Sequence, residues 1–283
     1  MKPRDFNEAY IEADGDIFVN NMYISMQMRS PSPLTAQVAP AQALERFVSS
    51  PRLLAQAAAF RLFYAAVPPT LTVRDQVASV VAERIVEQQL APGTRVREQL
   101  LAHEFGVSKA PVSEALMLLE HFGLVESSAR RGVFVSKISV ADFEDLVDYR
   151  STLARTFVPR FVEKQTQSDQ DVLLRYIAQM SKLVANDAKA FEFIELSDRC
   201  VLFIAMQAGS RRIAQAMCSI SLQLLRYFAM AARTESQRRL FLNRWQEAIK
   251  IMAARNAAQA FAHFEQTAQI RDADVRNAIQ GGQ

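Results

Sequence analysis

The chain has 283 residues, half of them hydrophobic, with few glycines or prolines and a formal net charge of +3. That is long enough for two domains with their own cores and favours helix over sheet; so mild a basic balance does not by itself imply nucleic acid. Its two cysteines, Cys200 and Cys218, make neither a disulfide framework nor a zinc pattern and read as reduced thiols of a cytoplasmic protein, no run of about 18 uncharged apolar residues is present to span a membrane, and the acidic start is unlike a secretory leader.

Residues 1–70 read as an N-terminal extension, weakly ordered or disordered and without a motif. Ser30-Pro31-Ser32-Pro33 interrupts any regular element, and the apolar stretch 44–67 ends at Pro68-Pro69. From residue 71 the pattern tightens. Val77, Val80, Val81 and Ile85 recur at helical spacing, predicting a first helix that stops near Leu90. A second helix is predicted over 96–105, closed by Gly106. A third follows Ser108, an N-cap residue type, with Pro111 tolerated in its first turn and Val112, Ala115, Leu116 and Leu119 as its apolar stripe. Two short β-rich runs, Leu124-Val125 and Val133-Phe134-Val135, then flank a tip carrying Arg130, Arg131 and Gly132. Three helices and a hairpin with a basic tip in residues 71–136 make a winged helix-turn-helix.

Such a reader works because a short turn sets two helices at a steep angle, so that the second can enter the major groove of duplex DNA. Here the turn is Gly106-Val107-Ser108. It leaves Ser108, Lys109 and Ala110 at a helix N-terminus, where free backbone donors and the helix dipole favour phosphate.

Residues 137–283 are almost continuously helical in pattern, with breaks expected near 166–168, 186–187, 209–210, 234–235 and 255–256. This predicts about six helices and no strand, so the fold class is mainly α: a winged helix-turn-helix followed by an all-α bundle. Phe143, Leu146, Val147, Leu153, Phe157 and Phe161 share one helix face, and Arg150 falls on it. A buried guanidinium cannot shed its charge and needs an anion. Asp198 sits likewise among Ile194, Val201, Leu202 and Ala205. Either the two charges pair with each other or with close neighbours, or Arg150 receives the carboxylate of a small organic acid. Trp245, on a stripe with Phe241, Ile249 and Met252, reads as core, whereas Arg211, Arg212, Arg226, Arg238 and Arg239 read mostly as solvated faces. There is no Ser-His-Asp arrangement, P-loop, dinucleotide fingerprint or metal cluster, so no enzyme is expected.

The run Leu90-Ala91-Pro92-Gly93, Val96-Arg97-Glu98, Leu101-Ala102, Gly106-Val107-Ser108-Lys109, Pro111-Val112, Glu114-Ala115-Leu116, Gly123-Leu124-Val125 and Arg131-Gly132-Val133-Phe134-Val135 resembles the reader of the GntR family of bacterial regulators, with every spacing intact. The resemblance implies DNA contacts at Arg97, Ser108, Lys109, Ala110, Pro111, Ser113, Arg130, Arg131 and Gly132. Two family arginines are replaced, by Lys109 and Ser113, and Ala110 stands for a family threonine. Lysine keeps the charge but loses the planar fork that reads guanine bidentately. More loosely, Asp142-Phe143 through Tyr149-Arg150, residues 193–198 and Ala208-Gly209-Ser210 resemble the ligand-binding FCD domain of the FadR subfamily. That likeness implies a homodimer on an inverted-repeat operator, relieved from repression by a carboxylate effector held at Arg150 and Asp198. Many such domains hold a divalent metal with one Asp and three His. Asp198 matches the Asp, but Leu202, Trp245 or Gln246, and Thr267 fall where the histidines belong. Of the three histidines in the chain, His103 and His121 lie in the reader and only His263 in the bundle, so no metal or other cofactor is expected. The alternative is a helical dimeric interaction protein that has lost specific DNA binding.

Overall fold

A computed structural model describes residues 72–129 and 131–281, so the 1–70 extension lies outside the described residues. The reader begins with α1 (Val73–Val86), β1 (Arg95–Val96), α2 (Glu98–Phe105) and α3 (Lys109–His121), and closes with the wing, β2 (Val125–Ser128) and β3 (Gly132–Val135). The three strands lie in the order β1-β3-β2, with β1 antiparallel to β3 in the register Arg95 to Phe134 and Val96 to Val133. Helix α1 ends earlier than expected, and the start of the second predicted helix is instead strand β1. Val77, Val80, Val81, Phe105, Val112, Leu116 and Leu119 are buried, as their helical spacing requires.

The turn between α2 and α3 hinges on Gly106, which takes φ 65° and returns its N–H to the α2 carbonyls of Ala102 and His103. Only a residue without Cβ adopts that left-handed conformation at little cost.

The rest of the chain is an all-helical bundle of six: α4 (Val140–Lys164), α5 (Gln167–Leu183), α6 (Ala190–Gln207), α7 (Arg211–Ala231), α8 (Glu235–Ala253) and α9 (Ala257–Gly281). Each break falls where a polar side chain can take over a backbone donor. Ser139 caps α4 and Ser210 caps α7, while Thr166 and Thr234 open α5 and α8 with reciprocal capping boxes to Asp169 and Gln237. Within the bundle α4 packs on α9, α7 and α6; α6 packs on α7 and α5; α8 packs on α9 and α5. Phe143, Phe157, Phe161 and Phe193 are completely buried at these contacts.

By packing, the described residues form two compact units. One holds those up to Arg84 with Arg95–His121 and Val125–Phe134; the other holds Ile85–Thr94, Phe122–Leu124 and everything from Val135 onward.

Two arginines read as solvated are not. Arg226 and Arg238 are 3% and 0% exposed. Arg226 donates to the Ser136 carbonyl at 2.6 Å. Arg238 donates from Nε to Val184 O at 2.8 Å, from Nη1 to Ala232 O and Arg233 O at 3.1 Å each, and from Nη2 to Asp187. The guanidinium thus replaces water for chain ends that helices α5 and α7 leave unpaired. Arg238→Ala strands those carbonyls in the interior, and thermal or urea denaturation should show a loss of about 3 kcal/mol or more. Arg238→Lys, with too few donors in the wrong geometry, should recover less than half of it.

Candidate functional site

Two places in the fold gather chemistry. The first is the outer edge of the reader. Ser108, Lys109 and Ala110 stand exposed at the start of α3, with Pro111 and Ser113 half-buried just behind them. Arg97, exposed, occupies the N-cap position of α2 without making a side-chain cap. At the wing Arg131 is exposed and its Nε donates to Ser128 Oγ at 2.9 Å; Arg130 lies outside the described residues. Gly132 has φ 96°, and a Cβ there would come within 3.4 Å of the Arg95 guanidinium. Its part is therefore to let the backbone turn and to leave Arg95 room along the wing.

Glu98, which the sequence reading passed over, belongs to this edge. Its Oε2 accepts from Ser113 Oγ at 2.7 Å and lies 3.5 Å from Lys109 Nζ. The partners are far enough apart along the chain that no local pattern announces them.

The second place is a cavity inside the bundle, about 50 Å³ in volume, walled by five of its six helices. Arg150 reaches it from α4, Asp198 from α6, Phe228 from α7, Trp245 from α8 and Arg271 from α9. The structure therefore brings Arg150 and Asp198 to one cavity, and each takes its direct partner elsewhere. Arg150 Nη2 donates to Asp272 Oδ2 at 2.9 Å. Asp198 accepts a short hydrogen bond from the Ser221 hydroxyl.

Arg150 is 3% exposed, and its Nε and Nη1 have no hydrogen-bond partner among the described residues. Arg271 lies with its guanidinium carbon 3.6 Å from the Phe228 ring centre and shares the Asp272 carboxylate, 3.3 Å from Nε to Oδ1. Two guanidinium groups of the cavity wall thus lean on the carboxylate of Asp272. Burial pushes the Asp272 carboxyl up, and Arg150 beside it pulls the other way. Burial lifts Asp198 to about 7, against the pull of the Ser221 hydrogen bond. Among the described residues Arg150, Arg244 and Arg271 line the cavity against a single carboxylate, Asp198, so its wall is short of negative charge. Apolar side chains, Ile194, Val201, Leu224, Phe241 and Phe264 among them, make up most of the remainder.

Asp272 and Arg271 were missed in the sequence, although the signal was there. Ala268, Asp272, Val275 and Ile279 follow one another at helical spacing on α9, and all four are buried. Trp245 is buried as expected, with Nε1 donating to Ser197 Oγ at 2.8 Å, and it also faces the cavity. Cys200 and Cys218 are free and buried; burial raises both thiols, Cys218 to about 12, so neither is a ready nucleophile.

The donor set does not fit a divalent metal. Asp198 is occupied by Ser221, and His263 directs Nε2 at the Arg244 carbonyl, 2.9 Å away. That carbonyl can only accept, so Nε2 carries the proton and Nδ1, 3.7 Å from Glu247 Oε2, keeps the lone pair; a lone histidine nitrogen and one carboxylate are too few ligands. Among the described residues no three potential ligands cluster, and no helix is long and apolar enough to cross a membrane.

Comparison with known proteins bears on both places. Residues 73–135 match the model of the family described as bacterial regulatory proteins, gntR family, and residues 145–268 match that of the FCD domain. Both are families of regulators rather than of catalysts. The HTH-type transcriptional regulator YdhC of Bacillus subtilis is 28% identical over 38% of this chain and 48% of its own length. The HTH-type transcriptional repressor RspR of Escherichia coli is 29% identical over 46% of this chain and 57% of its own. The chain thus spans about half the length of these curated relatives. Among solved structures, a GntR transcriptional regulator of Rhodococcus sp. RHA1 superposes with a TM-score of 0.63 at 21% identity, over 72% of this chain and 98% of that one. McbR/YncC of E. coli does so with 0.64 at 18% identity, over 76% and 100%. At those identities the likeness is one of fold.

The protonation of Asp198 has a measurable consequence. Its carboxyl titrates near 3.8 when unfolded and near 7 in the fold, so between those values the native state binds the extra proton and stability falls as pH rises. Denaturation from pH 4 to 8 should show this decline in the wild type. Asp198→Asn, which keeps the volume and an acceptor for Ser221 but no charge, should flatten it and gain stability chiefly above pH 7.

Proposed function

The chain belongs to the GntR family of bacterial regulatory proteins and carries an FCD domain behind its reader; from that premise we propose that it is a cytoplasmic homodimeric repressor whose hold on an inverted-repeat operator is released by a compact organic acid bound in the bundle. The observation that carries the effector half is the unpaired edge of Arg150. A buried polar group without a partner is rare, and an unpaired pair of guanidinium donors is rarer. Here they belong to a residue that lines a cavity short of negative charge. A carboxylate can accept from Nε or from Nη1, which lie on different edges of the guanidinium, in either case beside the second hydrogen of Nη2, with apolar side chains packing the rest of the molecule. A water needs roughly 10–15 Å³ of such space, so the cavity suits a ligand of a few heavy atoms.

The reader half rests on Lys109, Ser108 and Ala110 at the open end of α3, Arg97 at the start of α2 and Arg131 on the wing, with Pro111, Ser113 and Gly132 shaping the approach; Arg130, next to Arg131 in sequence, is included in the proposal. A twofold protein fits a twofold operator. The effector releases DNA only to the extent that it binds the DNA-free arrangement more tightly.

Melting curves with a panel of short carboxylates test the effector. The wild type should be stabilised by at least one, whereas Arg150→Met should not respond and should still bind DNA. An equal shift in the variant would remove Arg150 from the pocket. For the reader, Lys109→Ala combined with Arg131→Ala should abolish retention of the operator in gel-shift experiments while leaving dimer and fold intact. A double variant that binds as well as the wild type would favour a helical interaction protein instead.

A further inference from the structure

The exposed edge of α3 presents a stripe four residues apart: Lys109, Ser113 and Met117, the last 69% exposed. Against this stripe the reader sets a carboxylate. Glu98, at the first position of α2, takes the Ser113 hydroxyl at 2.7 Å and holds the Lys109 ammonium at 3.5 Å. The Glu98 side chain is 29% exposed and that of Lys109 64%, so the acid is partly recessed and the cation stands outward.

An exposed ion pair of this kind adds little to stability, and a negative charge on a surface meant for DNA is a handicap to affinity, because every phosphate repels it. Its effect is instead on what Lys109 can bind. A lone lysine at a helix N-terminus holds any phosphate. A lysine that shares its charge with Glu98 gains less from phosphate, which offers it an acceptor and pushes its partner away. The major-groove edge of a G·C pair offers both halves of a match: guanine O6 and N7 accept from an ammonium, and the cytosine N4 amino group donates to a carboxylate. Ser113 fixes the carboxylate in place by its hydrogen bond, so the two charges are presented as one rigid donor–acceptor unit.

We infer that Glu98 is a specificity-determining residue of the reader, which acts with Lys109 to favour a G·C pair and to suppress binding to bare phosphate. The inference rests on the proposed reading of α3 as the DNA-facing helix.

The test is selection from a randomised duplex library, followed by affinity for the selected and an unselected duplex across a range of salt. Glu98→Gln keeps an acceptor for Ser113 and removes the charge. It should bind the unselected duplex about three- to tenfold more tightly, with a salt slope steeper by up to about 0.9 as one further phosphate contact is gained. It should also lose the G·C preference at one position in each half-site. Lys109→Gln opens the pair from its other side and should lose the same preference with a shallower slope. In that background, adding Glu98→Gln should leave discrimination unchanged. If both single variants keep the wild-type motif and the wild-type ratio of selected to unselected affinity, the inference is overturned while the DNA reading stands. A wild type that retains no duplex at any salt overturns both.

Discussion

A guanidinium does not give up its proton in a protein, so an arginine carried into the interior commits the fold to supplying acceptors. The bundle meets that demand twice, with opposite results. Every nitrogen of Arg238 has a partner: three carbonyls and the Asp187 carboxylate. Arg150, as deeply buried, spends one nitrogen on Asp272 and leaves two without any. The first is a closed account of helix-end carbonyls that would otherwise be orphaned. The second is an open valence at the wall of a cavity, and the charges around it follow from keeping it open. Asp272 is shared with Arg271 and not given wholly to Arg150. Asp198, the one carboxylate among the described residues that faces the cavity, is turned to Ser221 and lifted towards neutrality by burial.

The proposed effector site would work without a metal. A divalent ion would supply positive charge to an incoming anion from a cluster of imidazoles and a carboxylate. Here Leu202 and Thr267 occupy positions where such ligands would stand, and the one histidine of the bundle donates to a backbone carbonyl. In the proposed site guanidinium groups would supply the positive charge instead. That exchange alters the chemistry of recognition, since a planar fork fixes the orientation of a carboxylate through two parallel bonds whereas a metal ion accepts any hard donor that completes its shell. It further predicts indifference to chelators, which is a property of the donor set and not of the fold.

How much of this was legible in the sequence depends on the range of the interaction involved. Helix ends in the bundle were legible because their signals are local: Thr166, Ser210 and Thr234 cap within three residues of themselves. The reader was legible because its spacing is rigid, although β1 was not, since two residues carry no periodicity of their own and are strand only by pairing with β3. Arg150 declared itself by standing on a phenylalanine face. Asp272 stood as plainly on the Ala268, Val275 and Ile279 stripe, but its meaning required knowing that α9 packs on α4. Arg226 and Arg238 were misread for a related reason. Their partners are backbone carbonyls, and no sequence pattern records which carbonyls a distant helix leaves unpaired.

The same distinction separates the two halves of the molecule in what they demand of their charges. In the bundle, burial makes each unpaired donor costly, so the arrangement of Arg150, Arg271, Asp272 and Asp198 is fixed by energy, and the proposed ligand would be recognised by completing it. On the reader the charges are solvated, and a pair such as Lys109 and Glu98 contributes little to folding. What it can do is alter the relative worth of two surfaces, phosphate and base edge, that DNA offers together. A protein with a net charge of only +3 has little general attraction for a polyanion to rely on. Placing a carboxylate beside Lys109 lowers that attraction further, and on the proposed reading of α3 the arrangement gains nothing unless the pair meets a base that accepts from one member and donates to the other.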